Sequence, residues 1–299
     1  MRRVAVTGKS GQVVTALLER GAVSGIEVLA LGRPELELSQ PQTVARALRS
    51  SGADVVVSAA AYTAVDKAES EPELAFAINE SGAGAVAAAA AGLGVPVVHL
   101  STDYVFDGSK SGPYLETDPT APIDVYGASK LAGEWVVAAA TPNHAILRTA
   151  WVYSPFGSNF LKTVLRLAGG RSHLSVVGDQ RGTPTSALDI ADAVLTVAKN
   201  LVERPDEASL RGVFHLVGSG EASWAEFARE IFRQSALLGG PSAEVAAITT
   251  AEYRTPAKRP TNSVLSTDKL AARHGLRLPA WQLSTGIVLK RLLANAGGA

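Results

Sequence analysis

The sequence predicts an α/β fold: a doubly wound parallel sheet with a smaller C-terminal α/β domain. Three observations predict it. Short β-branched runs alternate with helix-period stretches through the first half, a glycine turn directly follows the first run, and the alternation weakens beyond residue 155. With 299 residues, 46% hydrophobic and 19% charged, the chain is long enough for one large domain or two smaller ones.

The elements follow in order. Val4 to Val6 reads as a strand, TGKSGQVV as a turn, and TALLER as the start of a helix. IEVLALG (26–32) is a second strand, and TVARALRSSG (43–52) an amphipathic helix ended by glycine. DVVVSAAA (54–61) has the continuous apolar character of a buried parallel strand. A helix around ELAFAINESGAGAVAAAAAGLG and the strand VPVVHLSTDYVF (95–106) continue a pattern that implies right-handed crossovers. Residues 107–125, rich in Gly, Pro and Asp, form a loop before a helix beginning near Tyr126. HAILRTAWVYSP (144–155) supplies another strand. NFLKTVLRLAGG reads as a helix, LSVVGDQRGTPT as a strand entering a loop, and SALDIADAVLTVAKNLV as a long amphipathic helix. GVFHLVGSG gives one more strand and SWAEFAREIFRQSALLG a helix. The remainder reads as irregular until a last helix near 281–293.

Composition narrows the function classes. Lysine plus arginine equals aspartate plus glutamate at 28 each, so no global field draws in nucleic acid or an anionic membrane. Partners are expected to be small molecules. The absence of cysteine excludes disulfides, thiolate nucleophiles and cysteine-built zinc sites. The five histidines (His99, His144, His173, His215, His274) form no i, i+4 pair, so no local metal motif is expected. RRVAVTG passes straight into the glycine turn without a secretory leader, and apolar stretches such as AVAAAAAGLGV read as too short to span a bilayer. The expectation is a cytoplasmic protein.

GKSG is not a triphosphate loop, because Arg3 stands where that motif requires a glycine. It fits the dinucleotide turn G-x-x-G-x-x-G, in which Gly8 and Gly11 allow a tight turn and the following helix offers its amides to a pyrophosphate. Val14 occupies the third glycine position, which predicts looser packing of helix on strand. At the end of the second strand stand Gly32 and Arg33, without the acid that would hold an adenosine ribose diol. An arginine there suits a 2′-phosphate, which favours NADPH over NADH. Ala59, Ala60 and Ala61 end the third strand and leave room for a ligand across the sheet edge.

DVYGASKLAGE (124–134) places Tyr126 and Lys130 one helical turn apart, on one face. An ammonium about 4 Å from a phenol is worth around 4 kcal/mol at an effective dielectric of about 20, so Lys130 is expected to lower the Tyr126 pKa by a few units. Ser101 and Thr102 at the end of the preceding strand add hydroxyls able to hold a carbonyl oxygen. The small residues Gly127, Ala128 and Ser129 are expected to let nicotinamide and substrate approach.

TGKSGQ, AAAYTAVDKAE, INESG, STDYVFDG, VYGASKLAGE, RTAWVY, VGDQRGTPT and AKRPTNSVLS resemble, in order, the motifs of the dTDP-4-dehydrorhamnose reductases, which are extended short-chain dehydrogenases/reductases. The resemblance implies a Rossmann-type NADP(H) domain over 1–152, with returning segments from about 174–218, interleaved with a small nucleotide-sugar domain over 153–299. It implies reduction of the 4-keto group of dTDP-4-dehydro-L-rhamnose to dTDP-L-rhamnose by NADPH or NADH. Tyr126 would donate the proton, Lys130 would lower its pKa and hold the nicotinamide ribose, and Thr102 would bond the carbonyl. The implied cofactor contacts are Gly8, Ser10, Gly11, Gln12, Val13, Arg33, Ala59, Ala60, Ala61, Tyr62, Thr63 and Asn79. The implied substrate contacts are Thr102, Asp103, Tyr104, Tyr126, Trp151, Gln180, Arg259 and Asn262, with Trp151 as apolar wall and Arg259 at the diphosphate.

Glutamates through which some members bind magnesium at a dimer interface are replaced by Thr15 and Leu188, so no such metal is expected, and a homodimer would have to form without it. A nucleotide-sugar epimerase or dehydratase shares the Tyr and Lys. A dehydratase would usually carry Asp and Glu after the Thr, whereas Tyr104 follows Asp103 here. A binding role like that of the methionine adenosyltransferase β subunit is the third reading, opposed by the intact Thr102, Tyr126 and Lys130.

Overall fold

The computed structural model describes residues 1–296. From the N-terminus it runs β1 (Arg3–Thr7), α1 (Gln12–Val23), β2 (Glu27–Leu31), α2 (Pro41–Arg49), β3 (Val55–Ser58), α3 (Val65–Ala68), α4 (Pro72–Phe76), α5 (Ala83–Gly92), β4 (Val97–Thr102), α6 (Val125–Ala140) and β5 (His144–Thr149). Then come β6 (Val152–Tyr153), α7 (Phe160–Ala168), β7 (His173–Val177), β8 (Arg181–Gly182), β9 (Thr185–Ser186), α8 (Ala187–Glu203), β10 (Gly212–His215), β11 (Ala222–Ser223), α9 (Trp224–Leu237), β12 (Glu244–Ile248), α10 (Asp268–His274) and α11 (Trp281–Ala296).

Six strands form one parallel sheet in the order β10-β5-β4-β3-β1-β2, with Val4 opposite Val55 and Val6 opposite Val57. The Val-rich central strands β3 and β4 are buried along their length because helices cover both faces. The chain leaves β1 for β2 on one side and then crosses to β3 on the other. The order therefore reverses at β1 and β3, and the crevice at their carboxyl ends is where such sheets bind ligands. The Thr7 hydroxyl accepts from the amides of Ala59 and Ala60, both at 3.0 Å, and so ties the two strand ends together.

Several local outcomes differ from the sequence expectations. The run 144–155 is broken after β5 by Trp151, which sits at φ 46°, a left-handed conformation costly for a bulky side chain. The stretch read as irregular contains β12, which pairs in parallel with β7, and α10. α4, a π-helical stretch over Ala77–Gly82 and α5 join into one helical run, Pro72–Gly92, whose 21 residues and mean hydropathy of 1.3 are sufficient to cross a membrane. The alanine stretch is therefore not too short on those measures. Ala83, Val86, Ala87 and Ala90 are nevertheless buried in the core beside β3 and α2.

Val14 does not loosen α1. It is buried, and the closest approach of helix to strand lies at Gly21, where a Cβ would stand 2.4 Å from Val28 Cγ2. The smallness of α6 is likewise used within the fold. A Cβ on Gly127 would lie 2.2 Å from the Tyr104 carbonyl oxygen, and Ser129 Oγ donates to the Tyr126 carbonyl and accepts from Asn79. Gly127 and Ser129 thus serve the packing of α6 within the fold.

Candidate active site

A cleft of about 940 Å³ opens at the switch point, lined from end to end by the glycine turn Gly8–Val14, by Gly32 and Arg33, by Ala59–Ala61 and Thr63, by Ser101, Thr102, Tyr104, Tyr126 and Lys130, and by Trp151, Phe160 and Trp224. At one end Gly8 adopts φ 102° and Gly32 lies so close to Lys9 that a Cβ would stand 3.1 Å from its side chain. Only glycine leaves the backbone this accessible, and Gly11 presents the first amides of α1 to the space above. An elongated trough beginning at a helix N-terminus fits a dinucleotide.

The middle of the cleft carries the titrating groups. Asp124 caps α6, its carboxylate accepting from Gly127 N at 2.7 Å, which starts the helix so that Tyr126 and Lys130 reach the end of β4. Thr102 Oγ1 donates to Asp103 Oδ1 at 3.0 Å and accepts from Tyr104 N. Tyr104 meets Tyr126 edge to face with ring centroids 5.7 Å apart. Lys130 is buried, with Nζ 2.7 Å from the Leu100 carbonyl and 3.4 Å from His99 Nε2.

These surroundings reverse one sequence expectation. Burial raises the Tyr126 phenol above its ordinary range, the Asp103 and Asp124 carboxyls raise it further, and the Thr102 hydroxyl opposes them. Lys130 does not lower it. The ammonium is turned onto the Leu100 carbonyl, and burial drops its own pKa to about 8 against the pull of Glu134. Burial also lifts Asp103 and Asp124 to about 6 each. Behind the cleft, Glu134 is held by both arms of Arg148 at 2.9 and 2.7 Å and by Ser101 Oγ at 2.5 Å, a buried network under the Lys130 helix.

At the far end the Trp151 indole stacks on Trp224 with centroids 3.6 Å apart and planes 7° apart, and Phe160 leans on Trp224. Gly182 makes room for it, since a Cβ there would come 2.5 Å from the Trp151 ring. Trp224, Phe160 and Lys9 were not singled out in the sequence. Trp224 carried a local signal, the S-x-x-E capping box of Ser223 and Glu226 that fixes it at the first position of α9.

Other sequence-predicted residues lie outside the cleft lining. The Asn79 carboxamide accepts from Tyr62 N and donates to Tyr62 O, which pins the 59–63 loop, and the Tyr62 hydroxyl donates to Glu71. Asn262 holds the carbonyls of Lys110 and Gly112, and Gln180 donates to Thr250. Asp103 is buried at the strand end. Arg259 pairs with Asp66 at 2.9 Å and abuts the Tyr104 phenol, close to the cleft's central part. Among the described residues no three His, Asp or Glu side chains converge as a metal site.

Comparison with known proteins extends the picture. A family model described as the RmlD substrate binding domain matches residues 1–294. A dTDP-4-dehydrorhamnose reductase of Sinorhizobium fredii is 56% identical over 297 residues, covering 99% of this chain and all of the relative. The crystal structure of a dTDP-4-dehydrorhamnose reductase from Clostridium acetobutylicum superposes with a TM-score of 0.89 at 37% identity, covering 97% of this chain and 99% of the other. A Bacillus anthracis dTDP-4-dehydrorhamnose reductase, solved in complex with NADP, superposes with a TM-score of 0.88 at 34% identity over 99% of this chain and all of its own.

Proposed function

The chain belongs to the dTDP-4-dehydrorhamnose reductase family, and from that premise we propose how its cleft reduces the 4-keto group of dTDP-4-dehydro-L-rhamnose to give dTDP-L-rhamnose. The observation that carries the reading is one continuous trough with a glycine cradle at one end, a buried Thr–Tyr–Lys set in the middle and an aromatic wall at the other. NADPH, when bound, supplies the hydride.

The residues divide the work. Amides of the Gly8–Val13 turn hold the pyrophosphate, and Arg33 holds the 2′-phosphate. Lys130, whose ammonium rests on the Leu100 carbonyl, would turn from it to hold the nicotinamide ribose. The Tyr126 phenol keeps its proton across neutral pH and gives it to the oxygen that gains negative charge as C4 is reduced, a transfer that its upward shift in the closed fold opposes. Thr102 turns its single hydroxyl proton from Asp103 to that oxygen. Trp151 forms the wall for the deoxysugar. Arg259 takes the diphosphate and must release Asp66 to do so. Asp103, Asn79, Asn262 and Gln180 set the positions of the loops around the substrate.

The division into a cofactor domain over 1–152 and a substrate domain over 153–299, a cytoplasmic location and a homodimer formed without the interface metal belong to the same proposal. The test is oxidation of NADPH by the purified protein with dTDP-4-dehydro-L-rhamnose, with the product identified by NMR. Oxidation that needs the sugar nucleotide and yields dTDP-L-rhamnose supports the reading. Its absence would overturn the reading, and a tightly retained cofactor with no net oxidation points to the epimerase-type alternative.

A further inference from the structure

Behind the cleft, β4 and α6 meet in two polar rungs. In one, Ser101 Oγ donates to Glu134 at 2.5 Å. In the other, two residues earlier on the strand and one turn earlier on the helix, His99 Nε2 stands 3.4 Å from Lys130 Nζ. His99 is 1% exposed, and its Nδ1 lies 3.1 Å from Oγ of Ser58, the residue directly opposite it on β3. The Leu100 carbonyl, next along β4, accepts from the same ammonium at 2.7 Å.

Counting donors and acceptors fixes the state of this ring. An ammonium has three N–H donors and no acceptor, so a hydrogen bond between it and the imidazole requires the Nε2 lone pair. The ring proton then sits on Nδ1 and is donated to Ser58 Oγ. An imidazolium would set N–H against N–H and charge against charge. Burial first, then the Lys130 ammonium and the His144 ring, hold the His99 pKa well below its ordinary value, so the ring stays neutral and stays an acceptor. The other charges around Lys130 are Glu134 on its own helix, which favours the ammonium, and Arg148 of β5, which holds Glu134. Tyr126, one turn earlier on α6, keeps its proton and adds no charge.

On the proposed reading that Lys130 turns from the Leu100 carbonyl to the nicotinamide ribose, the turn removes the nearer of its two acceptors in a buried place. We infer that His99 is a positioning residue for the reduction, the fixed acceptor that backs the Lys130 ammonium as it moves between strand and cofactor. It satisfies one N–H at the rear while another reaches forward, and so keeps the proton on Lys130 against the pull of burial. Ser58 acts one step further back, by holding the tautomer that leaves Nε2 free.

The experiment makes two measurements on the full chain. The first is NADP⁺ binding by calorimetry between pH 7 and 10 for wild type, His99→Leu and His99→Gln. Wild-type affinity should fall as pH rises through about 8, where Lys130 loses its charge. A hydrogen bond to a charged group is worth about tenfold in proton affinity, so His99→Leu should move that fall about one pH unit lower. His99→Gln, which keeps an acceptor at similar reach, should leave the fall close to its wild-type position. A merely structural role would weaken binding equally at every pH. If wild type binds NADP⁺ with a profile flat across this range, or the fall stays in place in His99→Leu, or it moves equally in His99→Gln, the inference is overturned while the cofactor reading stands. The second measurement is independent of any variant's folding: the nitrogen-15 NMR spectrum of the His99 ring in wild type at pH 7 should show a protonated Nδ1 and a bare Nε2. A proton on Nε2 would overturn the inference. If wild type binds no NADP⁺ at any pH, the cofactor reading itself fails and the inference with it.

Discussion

Replacing Lys130 by Met should make the protein more stable at neutral pH while disabling it. In the fold the ammonium is buried and its pKa falls from 10.5 to about 8. At 1.36 kcal/mol per pH unit that fall means the charged form costs the native state about 3 kcal/mol relative to the unfolded chain. Methionine keeps the length and apolar stem without the charge, and losing the bond to the Leu100 carbonyl takes back about 1 kcal/mol, so Lys130→Met gains about 2 kcal/mol at pH 7. The pH dependence gives the sign. A depressed native pKa means the unfolded chain binds the extra proton between pH 8 and 10.5, so wild-type stability rises across that window and the variant's does not. Urea unfolding at pH 7 and at pH 10 measures both. A variant less stable than wild type at pH 7, or a gap between the two that stays constant with pH, would refute the assignment of a buried, desolvated ammonium.

The remaining predictions concern the rest of the site. Tyr126→Phe should lower kcat by roughly 10²–10⁴ with cofactor affinity intact, and steady-state kinetics with unchanged NADP⁺ binding checks it. Arg148→Met strands the buried Glu134 carboxylate and should cost about 3–5 kcal/mol in urea unfolding. Asp103, raised from 3.8 to about 6 by burial, contributes about 3 kcal/mol that is present below pH 4 and lost as pH rises through 6. Unfolding of Asp103→Asn between pH 4 and 7 should show a correspondingly flatter profile, and an unchanged slope would place the carboxyl in water.

The parallel sheet was legible because each element announces itself locally: Val runs at β1, β3 and β4, glycine at the first turn, an Asp–Val–Tyr–Gly start at α6. β12 and α10 were not, because EVAAI is a short, partly exposed strand whose partner β7 lies about 70 residues earlier, and DKLAARH has only two turns to show a period. The Tyr126 and Lys130 pair could be found by spacing, but its protonation could not. Burial sets the direction of both shifts, reinforced at Tyr126 by Asp103 and Asp124 and opposed at Lys130 by Glu134, groups brought together by tertiary packing. The Trp151–Trp224 stack joins a strained turn to a helix start 73 positions on, and no local pattern encodes that distance. Asn79 and Asn262 sit in motifs shared with reductases, yet the structure uses their carboxamides to hold backbone.

All of these roles depend on direct hydride delivery to C4 of the sugar with Tyr126 as proton donor. Reaction of dTDP-4-dehydro-L-rhamnose with NADPH carrying deuterium at the transferable C4 position, followed by NMR of the product, tests it most directly. The expected product is dTDP-L-rhamnose with deuterium bound at sugar C4 and the hydroxyl proton from solvent, formed by wild type and at least about 100-fold more slowly by Tyr126→Phe. Product with solvent hydrogen at C4, or equal rates for the two proteins, would contradict it.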